Sequence, residues 1–125
     1  MEKLITVKAE SKTYPVIVGN NCLSKINDIL NQLSPSKICI VTDEKVKELH
    51  LDAFLNELSD DFEIHLFTTP RGEEAKSFEV YKQLVEFTAR KGLDRKSLLI
   101  ALGGGAVGDL TGFAAATFMR GIEFI

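Results

Sequence analysis

Leu98-Leu99-Ile100-Ala101-Leu102-Gly103-Gly104-Gly105-Ala106-Val107-Gly108-Asp109 is the stretch that decides the fold. Five apolar residues in a row fit a strand buried on both faces, as in a parallel sheet. The glycines that follow let the chain turn tightly off that strand. From Ala106 the residues are small and apolar, with the spacing of a helix running to Met119. Gly103, Gly105 and Gly108 meet the G-x-G-x-x-G spacing in a strand-turn-helix setting. Glycine there admits a ligand phosphate, and the helix N-terminus offers unpaired N–H groups and a positive dipole end. A tight, ligand-free packing turn fits the same residues.

The pattern extends outward in both directions. Upstream, Lys37 to Thr42 is a second short apolar run, flanked by helical patterns, and Phe62 to Phe67 is a third strand. Between them Thr42 or Asp43 caps a helix through Val46, Leu49, Phe54 and Leu58. Pro70 to Lys76 reads as a polar loop. Ser77 caps a helix whose apolar face is Val80, Tyr81, Leu84 and Phe87, with Gly92 just past its end. Near the N-terminus, Leu4–Ala9 and Tyr14–Val18 are two short strands, a hairpin or a pair of edge strands. A helix from Asn21 follows and is stopped by Ser34-Pro35-Ser36. Downstream, Ile122 to Ile125 begins a further strand beside Leu98–Leu102. The predicted fold is therefore α/β: a parallel sheet with helices on both faces and an N-terminal pair of short strands.

The 125 residues correspond to one domain, with 45% hydrophobic and 26% charged residues, ordinary for a folded chain. The net charge of −3 gives no basic footprint for nucleic acid. No uncharged run exceeds the 12 residues of Ser97–Gly108, against the ~20 needed to span a bilayer. The start has neither a basic n-region nor an apolar h-region, so no signal peptide is expected. Cys22 and Cys39 are expected as reduced, buried thiols of a cytoplasmic protein. Six of nine glycines fall in the last 23 residues, and the chain ends in apolar Ile122-Glu123-Phe124-Ile125. That ending predicts a domain truncated within its sheet.

Ligands of open parallel sheets bind beyond the carboxyl ends of the strands. Three stretches meet at that edge: Asp43, the run Arg71-Gly72-Glu73-Glu74-Ala75-Lys76, and the turn Gly104-Gly105-Ala106-Val107-Gly108-Asp109. Acids suit ribose diols, and Lys76 suits a phosphate as a point charge. Asp109 favours the helix dipole but would repel a pyrophosphate, so it suits ribose hydroxyls or an amide, or is only a helix-end charge. His50 and His65 are isolated, and no metal, nucleophile-elbow or Walker pattern occurs. No metal ligand is therefore assigned. Arg90, Lys91, Arg95 and Lys96 read as a solvated basic surface.

The run from Gly103 to Ile122, GGGAVGDLTGFAAATFMRGI, closely resembles the signature of the 3-dehydroquinate synthases. Pro70 to Lys76 is similar to that family's Gly-Glu-x-x-Lys loop, and Thr42-Asp43 also fits. Position 106 is Ala where the family usually has Val, and position 71 is Arg where an acid or small residue is common.

The resemblance implies the N-terminal, NAD-binding half of such an enzyme: a Rossmann-like domain whose helical, metal-binding partner domain is absent. The family forms 3-dehydroquinate from DAHP with phosphate elimination, a lyase step of the shikimate pathway to chorismate and aromatic amino acids. It uses NAD catalytically and a zinc or cobalt ion. Carried over by motif, Asp43, Arg71 to Lys76 and Gly104 to Asp109 would contact NAD, and Arg120 the substrate. No catalytic residue would lie in this stretch, which alone would be inactive. The implied whole protein is a cytoplasmic homodimer without nucleic-acid or membrane partners. A related sugar-phosphate cyclase, of inosose or valiolone type, and a stand-alone nucleotide-binding module are the alternatives. The iron-dependent alcohol dehydrogenases share the glycine turn, but Met119-Arg120-Gly121 argues against them.

Overall fold

The computed structural model describes residues 2–125. Strands β1 (Lys3–Lys8) and β2 (Thr13–Val18) form an antiparallel hairpin, with Ile5 opposite Val16 and Val7 opposite Tyr14. A short 3-10 turn at Cys22–Lys25 leads into α1 (Ile26–Leu33). The alternating remainder is β3 (Ile38–Asp43), α2 (Glu44–Glu57), β4 (Ile64–Thr69), α3 (Phe78–Arg90), β5 (Leu98–Leu102), α4 (Gly105–Thr117) and β6 (Glu123–Phe124). Its four strands form one parallel sheet in the order β4-β3-β5-β6.

Alternation along β3 and β5 sorts side chains between two layers. Ile38, Ile40, Leu98 and Ile100 pack with Ile26 and Leu30 of α1 and with Leu51 and Phe54 of α2. Cys39, Val41 and Leu99 face α3 and α4 through Val80, Leu84, Val107, Leu110, Ala114 and Ala115. Leu30 and Leu84 are fully buried, and each contributes about 2 kcal/mol through the apolar area removed from water.

α2 follows β3 on one face, and α4 follows β5 on the other. Adjacent strands whose chains leave to opposite faces mark the topological switch point, here between β3 and β5.

Several local expectations hold. Asp43 caps α2, its Oδ1 accepting from Val46 N–H at 2.7 Å, and Ser77 caps α3 by accepting from Val80 N–H at 3.1 Å. Gly92 (φ +75°) closes α3 in a Schellman turn: Leu93 N–H donates to Thr88 C=O and Gly92 N–H to Ala89 C=O.

Others are corrected. The N-terminal helix opens as the 3-10 turn at Cys22–Lys25 and becomes α-helical only at Ile26, because Asn21 (φ +55°) is left-handed. β4 starts and ends two residues later than Phe62–Phe67, since Thr68 and Thr69 pair with Thr42 and Asp43. α4 ends at Thr117 rather than Met119, because Phe118 is extended (ψ 125°) and Met119 is left-handed (φ +49°). Leu49 is exposed; Leu51 takes the buried side of α2. The stretch Pro70–Lys76 carries a 3-10 turn at Gly72–Ala75. Cys39 is buried, which pushes its thiol up to about 12, but Cys22 is only half-buried; both are free. Ala114 and Ala115 pack inward while Ala116 is exposed, so only part of the alanine run serves close packing. No helix among the described residues is long and apolar enough to cross a membrane.

Candidate nucleotide site at the switch point

The site is built where β3 and β5 part. Beyond Asp43 the chain turns into α2; beyond Leu102 it turns through Gly103 and Gly104 into α4. The first-turn N–H groups of α4 have no helical partners and carry the positive dipole end.

The glycines of that turn differ in what demands them. A Cβ on Gly103 would meet Val107 Cβ at 3.1 Å, tighter than ordinary contact, so packing against α4 favours glycine there. Gly104, Gly105 and Gly108 would meet nothing within 4 Å, and none has a positive φ. Neither the core nor the backbone explains these three. Gly108 even weakens the helix by about 1 kcal/mol relative to alanine. The open space lies at the helix N-terminus on the carboxyl edge, where unpaired N–H groups favour an anion.

Asp43 is half-buried. Its Oδ1 is taken by the cap of α2, and Oδ2 has no protein partner among the described residues. One carboxylate oxygen is thus held by the fold, while the other has no partner among the described residues.

The loop after β4 passes the end of β3 and packs its 3-10 turn against α4, with Ala75 fully buried as the anchor. Gly72 supplies a left-handed residue (φ +59°). Arg71, Glu73 and Glu74 are exposed. Lys76 reaches Asp109, Nζ to Oδ2 at 2.9 Å, and lies 3.7 Å from Glu73 Oε2. The Asp109 carboxylate, first by its hydrogen bond and then by its charge, holds the Lys76 ammonium above the usual lysine range. Lys76 therefore stays charged at neutral pH and offsets the Asp109 carboxylate beside the N-terminus of α4. That removes the repulsion expected of Asp109 alone.

Beside this pair runs a groove of about 280 Å³ lined by Phe78, Tyr81, Leu110 and Phe113. Tyr81 and Phe113 pack with ring centroids 4.8 Å apart and ring planes tilted by 56°. Tyr81 fits the apolar α3 face read from the sequence, but Phe78 and Phe113 were not distinguished there; their exposure became visible only in three dimensions. A larger hollow of about 350 Å³, by Leu33, Pro35, Arg95 and Lys96, lies at the opposite edge and contains none of these residues.

Arg120 stands apart. α4 runs from the carboxyl edge back to the amino edge, where β6 starts beside Leu98. Nine residues of helix from Asp109 to Thr117 place about 12 Å between their backbones before Arg120 is reached. Asp43, Lys76 and the glycine turn come together; Arg120 does not join them within one chain. No three His, Cys, Asp or Glu among the described residues come together to hold a metal.

Comparison with known proteins shows what this chain is similar to. Residues 66–125 match the family described as 3-dehydroquinate synthase N-terminal. The 3-dehydroquinate synthase of Halalkalibacterium halodurans is 47% identical over 122 residues, covering 98% of this chain and 34% of that protein. The Listeria monocytogenes enzyme is 46% identical over 125 residues, covering 96% and 33%. The chain is a relative of the N-terminal part of the 3-dehydroquinate synthases. It spans about a third of the length of those relatives. Among solved structures, 2-deoxy-scyllo-inosose synthase superposes with a TM-score of 0.87 at 20% identity, over 98% of this chain and 35% of that one. The 2-epi-5-epi-valiolone synthase of Streptomyces hygroscopicus, solved with NAD+ and Zn2+ bound, gives 0.75 at 26% identity, over 94% and 33%. The α/β fold expected from the sequence is thus shared with these two synthases.

Proposed function

We propose that this chain is the NAD-binding part of a 3-dehydroquinate synthase. The observation that carries the nucleotide reading is the trio Gly104, Gly105 and Gly108, whose missing side chains leave open space that neither packing nor backbone conformation requires. Identity of 47% to a 3-dehydroquinate synthase, against 20% and 26% to the inosose and valiolone synthases, favours DAHP over the cyclase substrates of those neighbours.

Bound NAD would supply a reversible hydride acceptor. The chain's own residues bind and orient it. The N–H groups of Gly105 and Ala106 would hold the pyrophosphate. Asp43 Oδ2 accepts from a ribose hydroxyl. Lys76 and Asp109 form a neutral pair at the phosphate edge, and the 3-10 turn at Gly72–Ala75 flanks the crevice. Arg71, Glu73, Glu74 and Val107 complete the proposed contact set, and Arg120 binds substrate. In the whole protein a zinc or cobalt ion is held by residues outside this stretch.

The proposed whole protein is a cytoplasmic homodimer that binds neither nucleic acid nor membrane. Two free cysteines accord with a reducing compartment, and the exposed Phe78, Phe113 and Met119 with self-association.

Two measurements test this reading. Calorimetric titration of the protein with NAD+ should show saturable binding that Asp43→Ala weakens; no heat of binding contradicts the nucleotide site. The whole protein carrying this chain should release phosphate from DAHP with NAD+ and Zn2+ or Co2+. Phosphate release from a hexose phosphate instead would favour the inosose-type alternative.

A further inference from the structure

We infer that Thr42 is a positioning residue that sets the floor of the nucleotide crevice. The inference rests on the NAD-site reading above. Thr42 is fully buried at the carboxyl end of β3, and its Oγ1 donates to Leu102 C=O at 2.7 Å. Thr42 and Leu102 are the last pair in the β3–β5 register. The next residue on one side is Asp43, which caps α2; the next on the other is Gly103, which opens the glycine turn. From there the chains leave to opposite faces of the sheet. The Thr42 hydroxyl is therefore the last tie between the two walls of the crevice.

The bond also serves a carbonyl at the ladder's end. Without the hydroxyl, Leu102 C=O must find water or shift, and the glycine turn shifts with it. Parallel strands are held by slanted, evenly spaced bonds, so a loss at the last rung acts on the spacing of Asp43 from Gly104 rather than on the sheet below. Valine matches threonine in shape and branching, so Thr42→Val removes the tie with little else. Thr88 provides the control: its Oγ1, also on a buried residue, donates to Val85 C=O at 2.8 Å near the C-terminal end of α3, away from the crevice.

The experiment measures NAD+ affinity by calorimetry and thermal stability for the unaltered protein, Thr42→Val, Thr42→Ser and Thr88→Val. Thr42→Val should bind NAD+ about tenfold more weakly, as for one lost hydrogen bond. Thr42→Ser, which keeps the donor, should restore most of the affinity. Thr88→Val should lose stability without losing affinity. Should Thr42→Val not fold, Thr42→Ala removes the same hydroxyl and is read the same way. Unchanged affinity in the hydroxyl-free variant overturns the inference, as does an equal affinity loss in Thr88→Val. Failure of the unaltered protein to bind NAD+ is a different result: it overturns the nucleotide reading and takes this inference with it.

Discussion

The two edges of the parallel sheet use the same residue types to opposite ends. At the amino edge, Ser36, Asp94 and Ser97 satisfy one another. Ser36 Oγ donates to Asp94 Oδ1 at 2.6 Å, Asp94 N–H donates to Ser97 Oγ at 2.9 Å, and Lys96 N–H donates to Asp94 Oδ1 at 2.9 Å. The glycine there, Gly92, is demanded by its φ of +75°. At the carboxyl edge, Asp43 keeps one oxygen without a protein partner among the described residues, and three glycines stand where neither φ nor packing needs them. A polar group closed on the fold contributes stability. A polar group left open, next to space with no structural use, points to a ligand.

The comparison can be broken most severely at Lys76. Lys76→Met leaves the Asp109 carboxylate uncompensated beside the phosphate cradle. NAD+ affinity should fall roughly thirtyfold, the scale of a hydrogen bond to a charged group. Asp109→Asn should cost less, and the double variant should bind better than Lys76→Met alone. Additive losses in a calorimetric double-mutant cycle would show that the 2.9 Å pair does not tune the site.

Glycine substitutions sharpen the contrast next. Gly108→Ala should raise stability by about 1 kcal/mol through helix propensity while weakening NAD+ binding about tenfold. Gly92→Ala should do the reverse: about 1 kcal/mol or more of stability lost to the left-handed backbone, with affinity intact. Chemical denaturation paired with NAD+ titration reads both.

A smaller effect belongs to acid. The Ser36 hydroxyl, with Lys96 N–H, holds the Asp94 carboxyl below the usual carboxylate range. A folded-state value below the unfolded one gives stability that is complete above an ordinary aspartate pKa of about 3.9 and is lost as pH falls through the depressed value. Asp94→Asn should therefore flatten the acid limb of a stability–pH curve and leave NAD+ binding untouched. An unchanged acid limb would contradict the closed network. The smallest effect is at sulfur: Cys39, its thiol pushed up to about 12 by burial, should resist thiol reagents in the native protein at neutral pH. Fast labelling of Cys39 would mean that the β3 layer opens.

What was legible in the sequence was local. The caps at Asp43 and Ser77 and the stop at Gly92 follow from short-range chemistry, and the apolar runs of β3 and β5 from burial on both faces. Topology alone places Asp43, the loop at Arg71–Lys76 and the glycine turn at one edge. What escaped depends on tertiary register. The Lys76–Asp109 pair spans 33 positions and arises because the 3-10 turn packs on α4. The end of α4 at Thr117 follows from the left-handed Met119, a residue with no sequence signal for that backbone. The separation of Arg120 from Asp109 follows from the direction of α4. The dispensable character of Gly104, Gly105 and Gly108 required the space around them.

Titration with NAD+ followed by amide resonances tests the central claim most directly. The amides of Gly104–Asp109, Asp43 and Lys76 should shift saturably, while those of Ser36 and Lys91–Ser97 at the opposite edge stay still. Shifts confined to the amino edge, or none at all, would contradict the assignment of the open edge to a nucleotide.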